Sequence, residues 1–138
     1  MGGKNSVSAT FPTGVEIMTS TGGVFDSTQI DIHPTVISSG LNGGQTSRGA
    51  VEFGISDVPL HFSKPIKVEI YVNGYTQATI PVLVKHGGSS TFTTSGLTNN
   101  PNATCNNGIA SSPGNTTSVV NQMATIYSCA ASTFAAVE

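Results

Sequence analysis

The chain has 138 residues and a net charge of −2, and its five basic residues are scattered rather than clustered. Only 9% of residues are charged, against about a quarter in an ordinary domain, while apolar residues reach 37% and fall in periodic runs. This excludes disorder, phosphate-neutralising nucleic acid binding and, with no apolar run near ~18 residues, insertion of a helix into a membrane. The length predicts a single domain over 1–138, large enough to bury a core.

The N-terminal MGGKNSVSA has no apolar h-region, so the reading finds no signal peptide. Residues 1–5 read as a linker or an artificial start ahead of a longer natural precursor. Ser6–Phe11 and Val15–Met18 bracket a Pro12-Thr13-Gly14 turn and predict a hairpin-like unit. Gln29–Ile32 predicts a strand with Ile30 and Ile32 inward and Asp31 outward. His33-Pro34 should interrupt it before β-branched residues resume at Thr35–Ser38, and Gly40–Ser47 reads as a loop.

Val51–Val72 (VEFGISDVPLHFSKPIKVEIYV) predicts two alternating strands. Val51, Phe53 and Ile55 share one face of the first; Ile66, Val68, Ile70 and Val72 share one face of the second, opposite Lys67, Glu69 and Tyr71. A period of two over this length means half-buried β-strand. Asn73-Gly74 is a strong hairpin signal, with Thr76–Lys85 as the partner strand and Ile80, Val82 and Val84 inward. Pro81 lacks an amide donor, which predicts an edge position or a bulge.

Gly87–Gly96 reads as a loop or weak strand around Phe92, and Leu97–Ser118 as loop. Val119–Ala130 and Thr133–Val137 read as closing strands; Val120, Met123, Ala124 and Tyr127 also fit helical spacing. Roughly seven to nine short strands with Gly, Pro and Asn turns predict an all-β antiparallel sandwich, Ig-like or jelly-roll-like.

Cys105 and Cys129 are the only cysteines. They lack companion ligands for a thiolate metal site, and the expected state is a disulfide, the alternative being two buried thiols. The bridge stabilises by roughly 3 kcal/mol and belongs to an oxidising compartment.

His61-Phe62-Ser63 is the one place where the residues suggest bond-breaking chemistry. Ser63 Oγ is placed to attack the Phe62 carbonyl, shifting the acyl group from nitrogen to oxygen. Water then hydrolyses the ester, with His61 as base, proton donor or positioning group. A planar amide resists this unless the fold strains it; the bland alternative is two ordinary polar residues where a strand starts. His33, His61 and His86 lie on separate segments without ligand spacing, and Asp26, Asp31 and Asp57 form no calcium loop. No metal or other cofactor is therefore expected. Lys67 and Lys85 should point outward, away from any isopeptide site. Asn102-Ala103-Thr104 and Asn115-Thr116-Thr117 fit glycosylation acceptors.

The stretch VEFGISDVPLHFSKPIKVEI resembles the domain shared by zonula occludens proteins, netrin receptors and ankyrins. Some of its members, like unrelated self-cleaving nucleoporin domains, cut themselves between Phe and Ser of a His-Phe-Ser motif. The resemblance implies a β-sandwich and a scissile Phe62–Ser63 bond. The Ser/Thr richness and the stretches VKHGG, ATCNNG and CAASTFAA resemble repeated modules of large secreted bacterial surface proteins, which implies a sandwich that stays whole.

The expectation is a non-enzymatic extracellular or cell-surface module for structure, assembly or adhesion, meeting neighbouring domains or copies of itself. One alternative is a self-processing domain cut between Phe62 and Ser63; another is a virion or filament subunit.

Overall fold

The computed structural model describes residues 7–19, 24–25, 31–35, 37, 41, 44–54, 60–86, 92–94 and 96–138. Among them the fold is all-β, with curled antiparallel sheets, no helix and one disulfide. The first strands are β1 (Val7–Thr10), β2 (Ile17–Thr19), β3 (Val24–Phe25), β4 (Asp31–Pro34), β5 (Ser47–Gly54) and β6 (Leu60–Tyr71). They are followed by β7 (Thr79–His86), β8 (Leu97–Thr98), β9 (Cys105–Asn106), β10 (Ile109–Ala110), β11 (Thr116–Val120) and β12 (Met123–Val137).

The last strand organises the molecule. Met123–Ser128 of β12 pair with β6 on one side, from Met123↔Tyr71 to Ser128↔Ile66. On the other side the same stretch meets β11 at Val119↔Ala124 and β8 at Tyr127↔Thr98. Beyond Ala131, the last residue paired with β6, the partners change. Thr133–Ala136 pair with β7 on one edge and with β5 on the other. A single strand thereby joins both sets of partners, an arrangement consistent with the expected sandwich.

Alternation explains which side chains fill the interior. Ile66, Val68, Ile70 and Val72 from the β6 run join Ile80, Val82 and Val84 of β7 in one fully buried cluster with Ile126 and Phe134. Lys67, Glu69 and Tyr71 stand on the opposite, half-buried face. Past Ser132, β12 is buried on both faces: Phe134 and Ala136 enter that core, while Ala135 and Val137 pack with Ala50, Ile37, Leu41, Leu83 and Phe92. A strand covered on both sides loses the in–out alternation.

Several sequence expectations are corrected. β1 and β2 form no hairpin; both lie along β6, β1 against Lys67–Ile70 and β2 against Leu60–Phe62, in one interrupted course. His33-Pro34 does not interrupt β4 but pairs with Glu52 and Val51. Among the described residues β4 pairs only with β5, and an edge strand tolerates proline. β7 is not the hairpin partner of β6, because β12 occupies the place between them. The Leu97–Ser118 region, read as loop, carries β8, the β9–β10 hairpin and the start of β11. The helical spacing in Val119–Ala130 gives way to β11, a turn and β12. β7 is not an edge strand, since it lies between β11 and β12; Pro81 pairs with Thr116 of β11, one residue beyond the β7–β12 register, which ends at Val82↔Ala136. Ile30, Ile55 and the loop residues Gly40, Asn42 and Gly43 lie outside the described residues.

Candidate functional site

The His61-Phe62-Ser63 segment lies at the start of β6, as the sequence predicts, with Leu60 the one strand residue before it. The β6–β12 register jumps there: Ile66 faces Ser128, but His61 already faces Ala130. Phe62 to Pro65 therefore bulge away from β12 opposite Cys129 alone. Facing the bulge on the other edge is the Pro12–Gly14 turn between β1 and β2, closed by the Val15 amide donating to Pro12 O at 3.2 Å. A bulge in one strand and a turn in its neighbour thus accommodate each other.

Three contacts hold this junction. The Ser63 amide donates to Glu16 O at 2.9 Å, and the Glu16 amide donates to Ser63 Oγ at 2.6 Å. Lys64 Nζ donates to Thr13 O at 2.9 Å. Phe62 is buried in the core, its ring edge-on to Phe11 with centroids 6.4 Å apart. The Phe62–Ser63 peptide is trans, and neither residue has positive φ. Ser63 Oγ is thus already an acceptor, which ties one of its two lone pairs to the Glu16 amide.

His61 is half-buried, with its imidazole against the turn between β9 and β10. A Cβ built on Gly108 falls 2.8 Å from His61 Cδ2 and 3.0 Å from Nε2. That turn belongs to the disulfide region. Cys105 and Cys129 are bonded at 2.02 Å with α-carbons 5.5 Å apart, as the sequence predicts. Cys129 is fully buried beside Ala103 and Ala110, and its amide donates to Gly96 O at 2.8 Å. The bridge anchors the β9–β10 hairpin where β12 changes partners.

The remaining candidates are dispersed. His33 is in β4 and His86 in β7, and no group of three His, Cys, Asp or Glu among the described residues could hold a metal. Asp31 is in β4; Asp26 and Asp57 lie outside the described residues. Lys67 is half-buried opposite Tyr127, and Lys85 Nζ sits 5.6 Å from the centroid of the Phe92 ring. Asn102 is exposed, whereas Asn115 Nδ2 donates to Val82 O at 3.2 Å.

One feature escaped the sequence reading: a groove of about 710 Å³ on the outer face where β6, β12 and β11 run side by side. Met123, Thr125 and Tyr127 line it from β12, Ser118 and Val120 from β11, and Glu69 from β6. The signal was present, because these β12 residues alternate with buried Ala124 and Ile126. The adjacency of β11 and Glu69 depends on pairings the sequence does not state. A second depression of about 440 Å³ surrounds Arg48, which donates to Asn73 O and pairs with Glu138 at 3.4 Å.

No family model, curated protein or solved structure matches this chain.

Proposed function

We propose that the chain is a non-enzymatic structural, assembly or adhesion module of a surface or secreted protein, working outside the cytoplasm beside neighbouring domains or other copies of itself. The observation that carries this reading is the Cys105–Cys129 bridge. A disulfide suggests an oxidising, non-cytoplasmic environment, and this one fixes an Asn-rich excursion to the strand that unites the sheets. The low charge and the many Ser and Thr residues support the same reading. A membrane-impermeant amine reagent applied to intact cells of the source organism tests it. Labelling of exposed Lys64 before lysis is expected; labelling only after lysis overturns the extracellular placement.

The bulge at Phe62–Pro65 favours a second reading, self-cleavage between Phe62 and Ser63, because it removes that peptide from the β12 ladder. Denaturing mass spectrometry after prolonged incubation at neutral pH separates the two. A single intact mass is expected for the module; fragments ending at Phe62 and beginning at Ser63, absent in Ser63→Ala, establish self-processing.

A further inference from the structure

We propose that the outer groove across β6, β12 and β11 binds a neutral oligosaccharide, with Tyr127 as its stacking surface. The inference rests on the adhesion side of the module reading and gives it a ligand class.

The lining decides the chemistry. Along β12, Met123, Thr125 and Tyr127 face outward at every second position, so the row from Met123 to Tyr127 spans about 13 Å at the strand rise. Val120 sits directly across from Met123 and is 65% exposed, which gives the groove an apolar end. Single exposed apolar residues are common, but this one lies beside Met123 in a concavity of a size suited to ligands. At the other end Tyr127 is half-buried and offers an amphipathic ring. Between the two ends lie the hydroxyl residues Thr125 and Ser118. A hydroxyl both donates and accepts, matching the dual character of sugar hydroxyls.

Charge narrows the class further. Among the described residues lining the groove Glu69 is the one charged side chain, with Lys67 opposite Tyr127 beside it, and Glu69 Oε1 accepts a bond from Ser8 Oγ at 3.1 Å. A carboxylate in the lining disfavours phosphate, sulfate or carboxylate ligands, and carboxylate oxygens accept from sugar hydroxyls. Apolar patches on Met123, Val120 and the tyrosine ring suit the C–H faces of pyranose rings. The groove is therefore suited to a neutral chain with alternating apolar faces and hydroxyl edges.

The test is an NMR titration of the whole oxidised protein, isotope-labelled, with cellohexaose, xylohexaose and chitohexaose in turn. At least one probe is expected to give saturable shifts centred on Ser118, Thr125 and Tyr127. Tyr127→Ala should weaken that binding at least tenfold, whereas Tyr127→Phe, which keeps the ring, should retain most of it. Lys85→Ala, on another strand, should leave it unchanged. Absence of saturable binding to all three probes overturns the inference, as does binding that Tyr127→Ala leaves intact in a folded protein. Neither outcome touches the extracellular placement, which the intact-cell labelling decides separately.

Discussion

Of the three Asn-Gly dipeptides in the chain, the two among the described residues do opposite things. Asn107-Gly108 has positive φ at both residues, 51° and 81°, and closes the two-residue β9–β10 hairpin. At Asn73-Gly74 only the glycine has positive φ, 75°, and the Tyr75 amide donates to Val72 O. The first is the mirror-image turn whose twist matches paired strands; the second lets the strands splay. β6 and β7 accordingly separate at Asn73-Gly74, and β12 comes to lie between them. Identical dipeptides do not determine the turn; the surroundings do. Around Asn107-Gly108 these are the disulfide, His61 and Ala130; around Asn73-Gly74 they are Arg48 and Gln122.

The largest test of that contrast removes the bridge. Cys105→Ala with Cys129→Ala should cost about 3 kcal/mol through the unfolded-state entropy of the opened loop. Amide exchange should show protection lost first in β9–β10, with the Tyr75 amide hardly changed. Equal loss of protection at both turns, or a stability change below about 1 kcal/mol in denaturant unfolding, breaks the claim that the bridge specifically supports the 107–108 hairpin.

A smaller effect separates the glycines themselves. A Cβ at Gly108 meets His61 and Ala130 in addition to the positive φ, whereas one at Gly74 has Arg48 Nη2 as its nearest neighbour, at 3.7 Å. Gly108→Ala is expected to cost about 2 kcal/mol, conformation plus overpacking, and Gly74→Ala about 1 kcal/mol, conformation alone. Because the obstacle at Gly108 is largely the imidazole, His61→Ala combined with Gly108→Ala should recover about 1 kcal/mol in a double-mutant cycle. The same cycle on His61 and Gly74 should give none. Additivity at His61 and Gly108 would mean that the ring does not restrain the hairpin.

The contrast also shows what the sequence could disclose. Alternation is local, so the inward set Ile66, Val68, Ile70, Val72, Ile80, Val82 and Val84 was legible without any partner. Pairing is not local. Asn73-Gly74 marked a turn, but its type followed from groups distant in sequence, Arg48 and Gln122. The cysteine pair was legible because only one pairing exists. The role of Ser63 as acceptor for the Glu16 amide was not, since it requires β2 to run beside β6. The outer groove was hidden for the same reason: Met123, Thr125 and Tyr127 could be read as one face, but not which strands flank it.

The finest test concerns Gln122, which serves two turns at once. It has positive φ, 62°, in the Asn121-Gln122 turn joining β11 to β12, and its Oε1 accepts from the Gly74 amide at 2.6 Å. Gln122→Gly relieves about 1 kcal/mol of left-handed strain and creates the Asn-Gly pair that such a hairpin prefers. It also removes a hydrogen bond worth about 1 kcal/mol and loosens the unfolded chain by about 0.5 kcal/mol. The net change should be a destabilisation of well under about 1 kcal/mol, with exchange slowing at Met123 and quickening at Gly74. Gln122→Ala keeps the strain and loses the bond, so it should cost more, about 1 kcal/mol. If the glycine variant proves the less stable of the two, left-handed strain at Gln122 is negligible. The Asn121-Gln122 hairpin would then rest on its strand pairing, as β6 and β7 rest on β12.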